Sequence, residues 1–191
     1  NYIDWTAESG NWSDDANWDT GIKPDGTRTI RLRKSKSSVC TLNAAEKPVR
    51  SRLTVSNGQT FNIENGGSLE CGWARFGWST VNMTGDGTLR LNNDSLLIGC
   101  PIYEHGACVW TMSDTSKIDI SEDTENKEFL CISQDNAEGT LKLVGSGVTV
   151  NCKKFYLGYA LNPGFAPRAT LEYVMDAGGG NQRQVYDRTE G

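Results

Sequence analysis

The sequence is poor in the residues that catalytic and metal sites most often use. It holds a single histidine, His105, so a histidine-based metal site or a repeated imidazole acid–base pair cannot be built from it. Its six cysteines include no CxxC pair, which removes the usual zinc and dithiol arrangements, and no metal site is expected. G-x-S-x-G, HExxH, a P-loop and G-x-G-x-x-G are all absent. No apolar run approaches the roughly 18 residues of a transmembrane helix, so no membrane insertion is expected of this segment. Amphipathic helical stretches of useful length are also missing, which leaves an all-β chain. With 19 basic against 24 acidic residues the net charge is −5, which argues against attraction of the whole molecule to nucleic acid or to an anionic membrane. No secretory leader is present, and the chain opens at Asn1 rather than Met. That start is read as a trimmed mature protein or a part of a longer chain.

What the sequence does contain is repetition. Four stretches overlay: TFNIENGGSLECGWARFG from Thr60, TVNMTGDGTLRLNNDSLLIG from Thr80, VWTMSDTSKIDI…EFLCIS from Val109, and TLKLVGSGVTVNCKKFYLG from Thr140. TLEYV from Thr170 begins a fifth. In register, Phe61, Val81, Trp110, Leu141 and Leu171 share one column, and Ile63, Met83, Met112 and Leu143 the next. Leu69, Leu89, Ile118 and Val148 follow, then Cys71, Leu91, Ile120 and Val150. Phe76, Ile98, Ile132 and Leu157 close the units, three times followed by Gly and once by Ser133. Short strands repeating this way predict a solenoid, in which no unit can bury its own apolar face.

The predicted architecture is a right-handed parallel β-helix of about five to six coils over residues 29–175. A Trp-rich N-terminal cap is expected over 1–28, and a loosely ordered tail or truncation point over 176–191. Trp5, Trp12 and Trp18 sit in an irregular Gly/Asn/Asp-rich segment and suit the covering of an open coil end. Segments 29–33 (TIRLR), 39–42 (VCTL) and 52–55 (RLTV) read as one earlier, less regular coil. Unit starts are 20 residues apart from Phe61 to Val81 and then 29, 31 and 30, while the strand columns still align. The extra residues therefore fall in turns, at 100–108, 134–138 and 159–168, and equivalent turns of a stacked coil share one edge. Residues 122–128 sit at another corner as a solvated charged loop. Cys100 and Cys108 flank the first insertion; either a disulfide staples its base or both remain free thiols.

The opening W-x5-NW-x5-W (Trp5, Asn11, Trp12, Trp18), followed by Gly21, Pro24 and Ile30, resembles bacterial exported surface proteins with autotransporter-associated β-strand and PEP-CTERM-type repeats. The Gly66, Gly67, Leu69 unit and the GTLxL units at 87–91 and 139–143 carry the same likeness, as does ATLEYVMDAGG at 169–179. The resemblance implies an exported, secreted or cell-surface protein with a right-handed parallel β-helix, and it implies no particular activity.

Among functions, carbohydrate binding fits best. Sugars are held by aromatic faces together with amide, carboxylate or guanidinium hydrogen bonds. The insertion edge carries Trp78, Tyr103, Glu104, His105, Gln134, Asp135, Asn136, Tyr159, Asn162 and Phe165. Trp73 and Arg75 lie just before it, and Tyr156 takes the same outward position as Arg75. The candidate site stacks a sugar on Trp78, Tyr103 and Tyr159. Arg75, His105, Gln134, Asn136 and Tyr156 add polar contacts. The competing reading is that Trp78, Tyr103 and Phe165 only pin their own loops. A basic group (Arg28, Arg31, Arg33, Lys34, Lys36) could meet an acidic or sulfated polysaccharide, or could simply be a solvated edge that discourages strand addition.

Catalysis is not expected. Outward Glu70, Arg90 and Asp119 read as a cross-strand charge ladder, with Thr149 next, and no paired carboxylates stand at glycosidase distance. A small polysaccharide lyase would rest on Arg75 with Tyr156. A structural or adhesive stalk is the other alternative. No cofactor is expected, and calcium has only weak candidates in Asn92-Asn93-Asp94 and Asp14-Asp15, which read as ordinary turns. Trp110 lies in a core column and stays outside the site.

Overall fold

In each short segment every second residue is apolar, so a strand can bury one side and wet the other. In a computed structural model, which describes residues 1–92, 94–102, 106–120, 129–177 and 180–189, these segments build three sheets. The first stacks Tyr2–Asp4, Thr29–Leu32, Arg52–Val55, Trp73–Phe76, Leu96–Ile98, Phe129–Gln134 and Lys154–Tyr159. The second stacks Ser9–Asn11, Val39–Leu42, Gln59–Ile63, Ser79–Met83, Ala107–Met112, Glu138–Val144 and Arg168–Ala177, and ends on Gly180–Thr189. The third stacks Ala45–Glu46, Ser68–Cys71, Thr88–Leu91, Lys117–Ile120 and Thr149–Cys152. The chain visits the three sheets in turn, and its strands pair in parallel until the last. This is a parallel β-helix of five complete coils with a partial coil at each end.

The columns read from sequence are rungs of this helix. Phe61, Val81, Trp110, Leu141 and Leu171 pair in succession, as do Ile63, Met83, Met112 and Leu143. Phe76, Ile98, Ile132 and Leu157 form a third file. Trp110 is fully buried, its ring 4.6 Å from that of Phe76. Gly67 lies where a Cβ would come within 2.2 Å of the Leu42 carbonyl, so the GGxL turn needs glycine for close backbone approach.

Two groupings are corrected. Residues 52–55 do not belong with 29–33 and 39–42; they open the next coil, pairing with Thr29–Leu32 on one side and Trp73–Phe76 on the other. The earlier coil is closed by Ala45–Glu46, a two-residue strand too short to give an alternating signal. In the last coil, Ile118 pairs with Val150 and Ile120 with Cys152, not with Val148 and Val150. Asp119 accordingly meets Asn151 rather than Thr149. The turn after Leu143 is one residue longer than the turn after Met112, and Val148 and Val150 share parity, so alternation alone cannot separate them.

At the N-terminal end the tryptophans complete the inward files. Trp5 and Trp12 follow strands Tyr2–Asp4 and Ser9–Asn11, and Trp18 bridges them, with centroids 5.3 Å from Trp5 and 4.9 Å from Trp12. The Trp18 indole N–H donates to the Trp12 carbonyl at 2.8 Å, and that of Trp5 to Ser38 Oγ at 3.2 Å. Glu46 pairs with Leu69 and so occupies an inward position, buried beneath this cap. Its carboxylate accepts from Ser13 Oγ at 2.7 Å and Lys23 Nζ at 2.8 Å. Lys23→Met leaves that carboxylate under-satisfied and is expected to lower stability by about 1–3 kcal/mol. Glu46→Leu extends the Leu69 file and frees a lysine that already reaches water, so urea denaturation should rank it as the milder change. Equal losses would contradict this placement.

Of the two alternatives for Cys100 and Cys108, the structure has the free thiols, as it does for all six cysteines. Cys108 Sγ lies 3.5 Å from Ser79 Oγ, its rung partner, whereas Cys100 packs with Leu97 and Cys131 outside the main core. Within the segment read as a tail, Gly180–Thr189 runs antiparallel to Arg168–Ala177 over ten residue pairs. No helix among the described residues is long and apolar enough to cross a membrane.

Candidate functional site

The edge between the first and second sheets collects the long insertions. Directly after Ile98, Ile132 and Leu157, the residues Gly99, Ser133 and Gly158 have φ of 84°, 65° and 77°. These left-handed residues swing the chain away from the coil path at the corners that carry insertions. Gly77, at the equivalent place before the short corner to Ser79, is not left-handed.

The insertions surround a cleft of about 250 Å³ lined from three consecutive coils. Cys100, Pro101, Gly106 and Ala107 come from the first, 135–138 from the second, and Phe165 and Arg168 from the third. Its floor is a rung file. Ala107 pairs with Glu138 and Glu138 with Arg168, and Glu138 Oε2 lies 3.4 Å from the Arg168 guanidinium. Trp78 continues the file by one rung, because the following Ser79 pairs with Cys108. The walls are cross-tied. Asp135, itself left-handed at φ 56°, donates its N–H to the Tyr159 carbonyl and accepts from the Leu161 N–H at 2.7 Å. Asn136 Oδ1 accepts from the Ala166 N–H at 3.0 Å, which leaves its Nδ2 amide as the group it can offer a ligand. Phe165 is 40% exposed on this rim.

The sequence-derived site residues divide into three groups. Asn136 lines the cleft, and Gln134 lies beside it, paired with Tyr159. Tyr159 is 39% exposed, its ring 5.3 Å from that of Tyr156. Trp78, Tyr156 and Arg75 serve packing more than the cleft. A Cβ on Gly106 would come within 2.2 Å of Trp78 Cγ, so insertion backbone rests on that indole, which is half-buried. Tyr156 packs edge-on against Phe129 and covers an apolar strip of Leu97, Cys100 and Cys131 outside the solenoid core. Arg75 stacks over Trp73 at 4.5 Å. Arg75 and Tyr156 do share one outward file, but Leu97 and Cys131 stand between them, which separates them by roughly 14 Å. Tyr103 and His105 lie outside the described residues.

Sequence reasoning passed over Glu138 and Arg168. The signal was available, since each directly precedes a small residue (Gly139, Ala169) at the start of an aligned strand.

The basic group is largely compensated. Arg31 forks onto Asp4 and stacks over Tyr2 at 3.8 Å, Arg33 Nε lies 4.0 Å from Asp4, and Lys34 Nζ lies 3.4 Å from Glu8. Lys36 packs its Cβ beside Gly58, and Arg28 lies close enough to Asp25 to help lower its pKa. Glu70, Arg90 and Asp119 oppose one another on consecutive rungs, with Lys47 and Lys117 at either end of the charge series. Carboxylates at the turns are engaged too: Asp86 accepts from the Gly66 N–H and Asp114 from the Gly85 N–H. Of the weak calcium candidates, Asp14 caps the short 3-10 turn Asp15–Asn17 and Asp94 accepts from the Ser95 N–H. Asn93 lies outside the described residues, and among those described no group of three His, Cys, Asp or Glu side chains is placed to hold a metal.

No family model matches the chain, and searches of curated proteins and of solved structures return no match.

Proposed function

We propose that this chain is a non-catalytic carbohydrate-binding module of an exported bacterial protein, and that it holds a polysaccharide at the insertion edge. One observation carries the reading: three insertions separated in sequence converge on a single cleft that combines an exposed aromatic ring with amide and charged groups. Phe165 supplies a stacking face for a sugar, and Asn136, Glu138 and Arg168 supply hydrogen bonds to hydroxyls. Tyr159 extends the aromatic surface beside the cleft. The likeness to bacterial surface proteins supports an extracellular setting.

Phe165→Ala is expected to weaken binding by about tenfold or more while leaving the melting temperature within about 2 °C, because the ring is exposed and lines the cleft. Affinity gels containing neutral and acidic polysaccharides, run with wild type and variant, test this. Retention of both alike would move the site elsewhere, and retention of neither would remove the reading.

A structural stalk is the second reading, favoured by the packing of Trp78 and Tyr156 against neighbouring coils. Lyase chemistry has weaker support, because a base and its partner must lie within hydrogen-bond reach of one substrate position and Arg75 and Tyr156 stand rungs apart.

A further inference from the structure

The shape and charge of the cleft constrain the ligand more closely than its class. The floor file Trp78, Ala107, Glu138 and Arg168 runs along the solenoid axis, one residue per coil. Neighbouring coils are about 4.8 Å apart, so Trp78 and Arg168 are roughly 14 Å apart along the axis. That rung spacing is close to the length of one sugar ring in an extended chain. The insertions rise beside this file on three successive coils, so the groove they border also follows the axis. Exposed Phe165 supplies an aromatic face on this groove, and Asn136, Glu138 and Arg168 supply its polar groups.

The charges point the same way. Asp135 and Glu138 place two carboxylates at the cleft against the single guanidinium of Arg168, which already lies 3.4 Å from Glu138. Asp135 is buried, so its charge is poorly screened there. A ligand bearing sulfate or uronate would meet like charge at short range, on a protein whose net charge is −5. Of the basic group that would draw such a polymer, Arg31 and Arg33 are held by Asp4 and Lys34 by Glu8.

We infer that the ligand is an uncharged linear glycan lying parallel to the solenoid axis, with about three consecutive rings in contact. This rests on the glycan-binding reading of the same cleft.

The test is titration calorimetry with neutral linear gluco-, xylo- and manno-oligosaccharides of increasing length, and with the sulfated and carboxymethylated polymers of the same backbones. Affinity should rise at least tenfold from one ring to three and then level off. The charged derivatives should bind at least tenfold more weakly at low salt. Glu138→Gln, a change at an exposed position, should narrow that gap by improving binding of the charged derivative. Length-independent binding, or tighter binding of the sulfated form, would overturn the inference while leaving glycan binding intact. Failure of every neutral and charged glycan to bind would overturn both.

Discussion

Trp12→Ala is expected to lower unfolding free energy by about 3–5 kcal/mol and to make the protein self-associate. Trp12 is fully buried and is the uppermost member of an inward file, packed edge-on against Trp18 and tilted over Phe61 at 5.8 Å. Truncation would open a cavity where the first coil has no further coil above it, and would expose Leu42 and Phe61 beside the free strand edges of the first partial coil. Trp18 would lose one of its two edge-on aromatic partners at the same step. The indole nitrogen of Trp12 has no hydrogen-bond partner, so Trp12→Phe sacrifices volume but no bond and should recover most of the loss. Trp73→Ala, on the outer face, should cost about 1 kcal/mol, because it removes mainly stacking with Arg52 and Arg75. Urea midpoints and size-exclusion profiles of the three variants check the order. A Trp12→Ala loss no larger than that of Trp73→Ala would mean that the cap does not seal the core.

Stability is expected to fall steeply above pH 9. Burial pushes the thiols of Cys71, Cys108 and Cys131 up to about 12, and those of Cys40 and Cys100 upward as well. In the unfolded chain these thiols ionise near 8.5. A pKa raised by folding means the folded state resists losing a proton that the unfolded state gives up. The stabilisation is therefore complete below about pH 8.5 and is lost progressively up to about pH 12. Each such thiol contributes a slope of about 1.4 kcal/mol per pH unit in that window, so the three quantified thiols alone predict a loss on the order of 6 kcal/mol by pH 10. Urea midpoints at pH 7, 9 and 10 measure it. Cys71→Val, in the file of Leu91, should reduce the slope without disturbing the fold. A flat profile, or rapid labelling of the native protein by a thiol reagent at pH 8, would show that these side chains are not enclosed.

Much of the solenoid was legible because alternation has a period of two and the coils repeat. Phe61, Val81, Trp110 and Leu141 could be set in one file from sequence, and the shared edge of the insertions followed from where the extra residues had to go. Legibility ended where parity stops carrying information. Val148 and Val150 satisfy the same alternation, so the longer turn was invisible. Tyr156 was rightly placed on the outer face, but outward parity does not tell whether an insertion folds back to cover it, as Cys100 and Ile102 do around Leu97 and Cys131. The basic group looked free because its counter-charges, Asp4 and Glu8, come from a segment more than 25 residues earlier that had been read as cap alone. The cleft itself needed the register, since Glu138 and Arg168 become neighbours only when strands 138–144 and 168–177 pair.

Hydrogen exchange with and without a bound neutral oligosaccharide tests the central claim most directly. The account predicts slowed exchange at amides of 134–138 and 160–168, and none at 29–36. Protection confined to 29–36, or no change anywhere at saturating oligosaccharide, would contradict it.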